Sequence, residues 1–214
     1  MILNEEAFFQ GVRFLADRDE HLANVVKTYG QPRLWVRDPG FPTLVYIILE
    51  QQVSLASAKA AFDRLNGIVR RPLTPRRFLK LTNAELLRIG FSRQKTLYTR
   101  LLAESLSRRY FDLGDLHDLE DDAVRKMLTT FKGIGKWTAD IYLLSALRRP
   151  DIWPTGDLAL ATAVQEVKRL RQRPSPERLE KMSATWRPWR AVAARLFWHH
   201  YLSKRGQRTS EISL

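Results

Sequence analysis

Apolar residues recur along most of this chain at intervals of three and four positions. That spacing places them on one face of an α-helix, whereas a half-buried strand would alternate apolar and polar residues. Long runs of alternating β-branched residues are missing from the sequence. The pattern therefore predicts an all-α fold.

Start and stop signals divide the N-terminal half of this pattern into separate helices. Asn4 stands before two acidic residues, which is typical of a helix cap, and prolines between 32 and 42 mark a break before the apolar run LVYIILEQQ. Residues 43–66 are predicted to form a buried helix, a short polar turn around residues 51–54 and a second helix. Thr82 resembles another cap, because a glutamate follows it three positions later.

Further helices are predicted in the C-terminal half. One begins after Ser92 and is expected to bury Leu97, Leu101 and Leu102, and another follows the glycines near residue 134 and is expected to bury Trp137, Ile141 and Leu144. The last helices are predicted at 157–170, 176–183 and 186–205, after a break formed by Pro150, Pro154 and Gly156.

The charge of the chain favours a polyanionic partner. Among 214 residues, 36 Lys and Arg outnumber 23 Asp and Glu, which gives a net charge of +13 and a pI near 10.4. Nucleic acid is the most common partner of such proteins, although charge alone does not identify it. The chain has no cysteine, which excludes disulfides, zinc sites with thiolate ligands and cysteine-bound iron–sulfur clusters.

The charge is distributed unevenly. Residues 112–122 hold six acids and no Lys or Arg, so this segment is expected to face away from DNA. Residues 166–208 hold 12 Lys or Arg and three Glu and are a candidate path for the polyanion, although Arg169, Arg171 and Arg173 would also suit a solvated helix end. The N-terminus MILNEEAFFQ lacks the features of a signal peptide or a membrane span, so a cytoplasmic protein is expected.

Residues 131–140 read FKGIGKWTAD, a Gly-Ile-Gly step between two helical segments. Glycines permit a tight turn and a close approach to a ligand, and the following helix offers unpaired N–H groups to an anion. A nucleotide-binding glycine loop would need a preceding strand, whereas the upstream segment is helical. The pattern predicts a helix-hairpin-helix that grips phosphate, and the alternative is a helix-ending glycine followed by a second one by chance. The residues predicted to bind DNA here are Gly133, Ile134, Gly135, Lys136 and Thr138.

Four segments of the chain together resemble the helix-hairpin-helix DNA glycosylase superfamily, most closely its 3-methyladenine DNA glycosylase II branch. They are ILEQQVSLASAKA at 48–60, LTTFKGIGKWTADIYLL at 128–144, DIWPTGDLAL at 151–160 and TWRPWRAVAARLFW at 185–198. The resemblance covers roughly residues 40–205. It implies a monomer that binds double-stranded DNA containing damaged bases and flips a nucleotide out of the duplex.

The resemblance also implies a domain organisation. Two helical lobes with a cleft between them are expected: a central lobe at 43–149, which contains the helix-hairpin-helix at about 120–147, and a second lobe made of 1–42 with 150–214. The N-terminal β-rich domain of some relatives is not expected in this chain.

The resemblance places the essential aspartate of the family at Asp157. Cleavage of the bond between sugar and base develops positive charge on the sugar, and a fixed carboxylate stabilises that charge or orients the attacking water. Asp157 would also suit a helix N-cap, and the two roles are compatible. Asp140 and Asp151 are rival carboxylates in the same part of the sequence.

Bifunctional members of this superfamily carry a catalytic lysine two residues after the last hairpin glycine, where this chain has Trp137. Lys136 lies one position earlier, on a helix face turned by about 100°, and is expected to approach phosphate. The resemblance therefore implies a monofunctional enzyme that uses water and leaves an abasic site. A bifunctional glycosylase/lyase and a non-catalytic module that binds damaged DNA stay open as alternatives.

Trp137 and Trp198 match pocket aromatics of the family. A pocket tyrosine of the best-known family member falls at Ile141, and Tyr142, which is the next residue, is a further candidate. Aromatic faces attract the positive charge of alkylated purines. The expected substrates are 3-methyladenine and 7-methylguanine, with 1-methyladenine or hypoxanthine as further candidates. Core packing is the alternative role for each tryptophan.

Two further sites follow from the resemblance. Gln52 matches the residue that fills the gap left by the flipped base, although Gln51 and Gln52 would also suit a helix end. The hairpin of relatives often binds a monovalent cation, Na⁺ or K⁺, through backbone carbonyls that correspond to Thr129, Phe131 and Ile134. No cofactor is expected to be required.

Overall fold

The computed structural model describes residues 2–70, 72–108 and 112–206. These residues form helices, turns and loops without any strand, which confirms the predicted all-α class. The α-helices are α1 (Glu5–Arg18), α2 (Glu20–Tyr29), α3 (Phe41–Glu50), α4 (Leu55–Val69), α5 (Pro75–Phe78), α6 (Asn83–Arg88), α7 (Arg93–Ser107), α8 (Asp121–Leu128), α9 (Lys136–Ser145), α10 (Leu158–Val167), α11 (Pro176–Ser183) and α12 (Arg190–Lys204). Short 3₁₀ helices lie at Gly114–Asp118 and Ala184–Trp186.

Local signals in the sequence explain several helix starts. The side chain of Asn4 accepts a hydrogen bond from the Ala7 N–H at 2.8 Å and thereby satisfies one of the free amides of α1. Thr82 and Glu85 form a reciprocal capping box at the start of α6. Both predicted caps are confirmed.

Two details of the predicted helices are wrong. In α7 the buried residues are Thr96, Thr99, Leu102 and Ala103, whereas Leu97 is 46% exposed. The buried stripe therefore runs through Thr96 and Thr99 and is shifted relative to the leucines. The last helix begins at Arg190 rather than at 186, because residues 184–186 form a 3₁₀ turn and the following Pro188 has no N–H to donate to a helix.

The chain divides into two compact units, one formed by residues 1–37 with 143–214 and the other by residues 38–142. In the first unit, α12 packs against α1, α2 and α10. Its core includes an aromatic cluster in which the rings of Trp186 and Phe197 lie 4.9 Å apart between centroids. This packing holds the 3₁₀ turn at Ala184–Trp186 against α12.

The second unit is built around α3, which is buried on all sides except at Pro42. It packs against α4 and α7, and α7 also contacts α5 and α6. A helix that is apolar all round belongs in a core, which explains the uninterrupted run LVYIIL. Within the described residues, no helix combines the length and the hydrophobicity that a membrane crossing requires.

Candidate functional site

Asp157 stands at the N-terminus of α10. Gly156 has a φ of +88°, a backbone conformation that glycine adopts without strain, and it turns the chain into the helix. The Oδ1 atom of Asp157 then accepts the Leu160 N–H at 2.7 Å, so the half-buried carboxylate caps the helix. The predicted N-cap role of Asp157 is confirmed, and the helix dipole favours the negative charge at this position.

Trp198 brings an aromatic ring to this carboxylate. It lies on α12, is only 7% exposed, and points its Nε1–H at Oδ1 of Asp157 with a separation of 3.4 Å. The structure therefore brings together two residues that the sequence predicted to share a site. Their 41-residue separation in sequence is closed by the packing of α10 against α12.

Trp35 and Arg195 extend this arrangement, and sequence reasoning missed both. The rings of Trp35 and Trp198 stack with centroids 5.6 Å apart and an interplanar angle of 24°. The guanidinium carbon of Arg195 lies 3.8 Å from the Trp35 centroid, which is a close cation–π contact. The Nε–H of Arg195 also donates to the Arg33 carbonyl at 2.7 Å, which ties the segment that carries Trp35 to α12.

Arg195 is buried, with 2% of its surface exposed. Its two terminal nitrogens make no hydrogen bond to any of the described residues. Burial lowers the pKa of this guanidinium to about 9. The first unit thus contains an interior positive charge next to the aromatic pair.

The rival carboxylates are both engaged in ion pairs. Asp140 is fully buried and accepts the Arg125 Nε–H at 2.6 Å, which links α9 to α8. Burial lowers the pKa of Arg125, but the hydrogen bonds with Asp140 and Asp122 raise it above its usual value. Asp151 pairs with Arg190 at 2.8 Å and with Arg187 at 2.9 Å. These contacts suit structural roles.

The predicted helix-hairpin-helix consists of α8, a turn at residues 129–135, and α9. The Ile134 N–H donates to the Phe131 carbonyl at 3.0 Å and closes the turn, and the Ala139 N–H donates to the Gly135 carbonyl at 3.0 Å and starts the helix. Gly133 has a φ of +91°, and a Cβ at this position would lie 2.1 Å from the ring of Tyr98. The turn therefore needs glycine at 133 for both its backbone and its packing.

Gln51 fastens the loop after α3 to this hairpin. Its Nε2 donates to the Gly133 carbonyl at 2.9 Å and to Oγ1 of Thr138 at 3.0 Å. Lys95 supports the same loop, because its Nζ donates to the Leu49 carbonyl near the end of α3 at 2.8 Å. Burial lowers the pKa of Lys95. The sequence did not identify either support.

The neighbouring Gln52 has a different environment. Its φ of +57° is uncommon for a residue other than glycine, and its side chain is exposed. A strained position of this kind persists where the surrounding structure holds it, and such positions cluster at binding sites. The anchored Gln51 therefore holds Gln52 outward.

The other predicted residues of the second unit differ in exposure. Gly135 and Lys136 are exposed and Trp137 is half-buried, whereas Ile134 and Thr138 are buried. Tyr142 is fully buried, and its hydroxyl accepts the Gly40 N–H at 2.9 Å. Burial raises the pKa of Tyr142 to about 12. This hydrogen bond supports the start of α3, and a role of Tyr142 in a substrate pocket stays a prediction.

Among the described residues, no group of three or more His, Cys, Asp or Glu side chains could hold a metal ion. A site made of backbone carbonyls is a separate case. Thr129, Phe131 and Ile134 all lie in the turn at residues 129–135, and a cation held by their carbonyls stays a prediction.

Comparisons with known proteins identify relatives of the chain. Residues 45–189 match the profile of the HhH-GPD superfamily base excision DNA repair proteins. The chain is 27% identical over 191 residues to DNA-3-methyladenine glycosylase 1 of Schizosaccharomyces pombe, covering 86% of this chain and 83% of that protein. For two other curated relatives, the chain spans 55% and 64% of their length.

Solved structures share the fold. The 3-methyladenine DNA glycosylase Mag1 of S. pombe in complex with abasic DNA is 25% identical, with a TM-score of 0.81 over 92% of this chain and 97% of that one. A DNA-3-methyladenine glycosidase from Bacillus halodurans is 26% identical, with a TM-score of 0.75 over 93% of this chain and 92% of that one.

Proposed function

The chain belongs to the HhH-GPD superfamily of base excision DNA repair proteins, and we propose that it is a monofunctional DNA glycosylase. It flips an alkylated purine out of double-stranded DNA, hydrolyses the N-glycosidic bond and leaves an abasic site. The names of its relatives support this activity, and the Mag1 complex with abasic DNA supports DNA as the partner.

The observation that carries the proposal is the placement of Asp157. Its half-buried carboxylate caps α10 and receives the Nε1–H of Trp198 at 3.4 Å. A carboxylate fixed by a helix terminus and a ring N–H is preorganised to stabilise positive charge without reorganising solvent. Asp140 and Asp151 instead form ion pairs with arginines that suit structural roles.

In the proposed reaction, the bond between C1′ of the deoxyribose and the purine nitrogen breaks, and its electron pair leaves with the base. The sugar becomes positively charged, and the carboxylate of Asp157 stabilises it electrostatically. Water then adds to C1′ and loses a proton, which restores neutrality on the sugar. The products are the free base and an abasic site.

Water rather than an amine is the proposed nucleophile. A Schiff base would need a lysine two residues after Gly135, and that position is Trp137. Lys136 is exposed at the first residue of α9. Its charge and the amides of the first helical turn suit a phosphate group.

The proposed substrates are 3-methyladenine and 7-methylguanine, whose alkylation weakens the glycosidic bond, with 1-methyladenine or the deaminated purine hypoxanthine as further candidates. The stacked pair of Trp35 and Trp198 beside Asp157 supports an aromatic platform for such a base. A contribution of Trp137 to base recognition stays a prediction. Stacking on an indole is tolerant of the exact purine, so the range of substrates would be broad.

Gln52 is proposed to enter the gap that the flipped base leaves, since it is exposed on a loop that Gln51 anchors. The Gly133–Gly135 turn would grip the phosphates next to this gap. Na⁺ or K⁺ held by the carbonyls of Thr129, Phe131 and Ile134 would stiffen the turn. The chemistry of bond cleavage does not involve this cation.

A duplex with one 3-methyladenine, 7-methylguanine, 1-methyladenine or hypoxanthine tests the proposal. Free base should be released, and the strand should break only after treatment with alkali. Strand cleavage without alkali would contradict the monofunctional mechanism. Tight binding with no base released from any of these duplexes would instead indicate a non-catalytic module that binds damaged DNA.

A further inference from the structure

Arg195 carries a positive charge in the interior of the first unit, and none of the described carboxylates forms an ion pair with it. Its side chain is 2% exposed, and the terminal nitrogens have no hydrogen-bond partner in the described part of the chain. Two other arginines of the same unit are paired with carboxylates: Arg190 contacts Asp151 at 2.8 Å, and Arg205 contacts Glu166 at 2.9 Å.

An unbalanced interior charge costs stability, and an apolar side chain of similar volume would avoid that cost. Departures from this rule in natural proteins are concentrated at functional sites. Burial lowers the pKa of Arg195 to about 9, which leaves the guanidinium charged at neutral pH. The charge therefore calls for a functional explanation.

Arg195 is adjacent to the proposed site through two aromatic rings. Its guanidinium carbon lies 3.8 Å from the Trp35 centroid, and Trp35 stacks on Trp198 at 5.6 Å. The two distances, 3.8 and 5.6 Å, place the charge at most about 9.4 Å from the centroid of the Trp198 ring, a range over which it acts on other charges in a poorly solvated site. Trp198 in turn contacts Asp157.

We propose that Arg195 is a specificity determinant of this site, whose interior positive charge disfavours flipped bases that are themselves positively charged relative to uncharged bases of the same shape. This inference rests on the proposed function, because it assumes that the flipped base lies beside the ring of Trp198.

The two aromatic rings and Arg195 then act in opposite directions. Indole faces attract a cationic purine, whereas the guanidinium behind Trp35 repels it. The same charge favours bond cleavage, because the electron pair of the glycosidic bond moves onto the base and makes the base more negative by one unit. A cation on the base side and the carboxylate of Asp157 on the sugar side both stabilise that charge separation.

A matched pair of DNA duplexes isolates the effect of charge. One contains 7-methylguanine, which is a cation, and the other contains 7-methyl-7-deazaguanine, which has the same shape and no charge. Dissociation constants are measured in the Asp157→Asn background, so that neither duplex is cleaved. In Arg195→Met, the affinity for the cationic base relative to the neutral base should rise about tenfold.

Two control variants separate charge from structure. Lys204→Met removes one positive charge from the same helix, but from a side chain that is 52% exposed, and should leave the ratio unchanged because solvent screens it. Arg195→Lys keeps the positive charge, so the ratio of the two dissociation constants should equal that of the Asp157→Asn parent. A change in the shape of the site alone would weaken the binding of both duplexes by the same factor. The ratio of their dissociation constants would then stay the same.

Circular dichroism shows whether Arg195→Met folds, and a second variant keeps the test decisive if it does not. Arg195→Gln is a second neutral variant whose amide can still donate to the Arg33 carbonyl, and it should shift the ratio as Arg195→Met does. An unchanged ratio in the folded neutral variants, or an equal shift in Lys204→Met, would overturn the inference. Failure of the proposed glycosylase activity is seen separately, as an absence of base release by the wild-type chain.

Discussion

The Nε1 atom of Trp198 lies 3.4 Å from Oδ1 of Asp157, and the same oxygen accepts the Leu160 N–H at 2.7 Å. A helix terminus and an aromatic ring therefore fix one carboxylate from two directions. Because α10 and α12 hold both donors, the carboxylate cannot turn without losing a hydrogen bond. This geometry gives the central carboxylate of the proposed reaction a defined orientation.

Replacement of Trp198 by phenylalanine tests this contact. An aromatic ring is retained, although a smaller one, and the N–H is lost, so the first-order rate of base release should fall about tenfold, as expected for a long hydrogen bond to a charged group. Single-turnover kinetics on a 3-methyladenine duplex measure this rate. Trp186→Phe is the matched control, since its N–H donates to Asp19 at 3.1 Å, and it should lower stability without changing the rate. Equal rates in Trp198→Phe and wild type would refute the role of the contact.

The hairpin glycines should differ in their tolerance of a side chain. Gly133→Ala forces alanine to a φ of +91° and places its Cβ against Tyr98, so unfolding should require about 2 kcal/mol less free energy. Gly135→Ala meets no atom within 4 Å and should change stability little. Urea denaturation compares the two variants. Equal destabilisation would mean that the turn has a different shape in solution.

The two neighbouring glutamines should separate stability from DNA binding. Gln51→Ala removes hydrogen bonds to Gly133 and Thr138, so it should lower the unfolding free energy by about 2 kcal/mol. Gln52→Ala alters an exposed side chain and should leave stability within about 0.5 kcal/mol of wild type.

Gln52→Ala should change the binding of damaged DNA, although it should hardly change stability. If it fills the gap in the base stack, Gln52→Ala should weaken binding to a lesion duplex about tenfold. Fluorescence anisotropy measures that affinity, with an undamaged duplex as the reference. Weaker binding to both duplexes by the same factor would argue against a role in the gap.

The lowered pKa of Glu166 predicts how the stability of the protein depends on pH. Burial raises its pKa, but hydrogen bonds from Arg205, His200 and Lys204 lower the pKa to about 2 from a usual value of 4.5. A pKa lowered by folding means that the ionised group stabilises the fold above about pH 4.5, and that this contribution is lost as pH falls from 4.5 toward 2. Glu166→Gln should therefore have a lower Tm than wild type at pH 7 in low salt.

The difference in Tm between Glu166→Gln and wild type should shrink as the pH is lowered below about 4.5. Thermal denaturation at pH 7, 5 and 3 checks this trend. High salt at pH 7 should also reduce the difference, because Lys204 and Arg205 are partly exposed. A constant difference at all three pH values would exclude charge as its cause.

Features encoded locally were predictable from the sequence. The caps at Asn4 and Thr82, the Gly-Ile-Gly turn and the N-cap role of Asp157 each depend on residues within a few positions of one another. The pairing of Asp157 with Trp198 is not local, and only the ordered motifs of a known family indicated it.

Contacts that depend on tertiary packing were not predictable. Trp35 lies in a segment without regular structure, and its contacts with Trp198 and Arg195 join residues that are far apart in sequence. By sequence alone, Arg195 is one of many basic residues in the C-terminal third. Gln51 and Gln52 are identical in type, and only the backbone turn decides which one contacts the hairpin.

The most direct test of the account compares Asp157→Asn with Asp151→Asn. Asparagine caps a helix as well as aspartate does, so Asp157→Asn should fold normally and bind a lesion duplex, while its single-turnover rate of base release falls at least about 100-fold. Asp151→Asn weakens the ion pairs with Arg187 and Arg190, and should lower stability but keep the rate of the folded protein near that of wild type. Base release by Asp157→Asn at the wild-type rate would contradict the central claim.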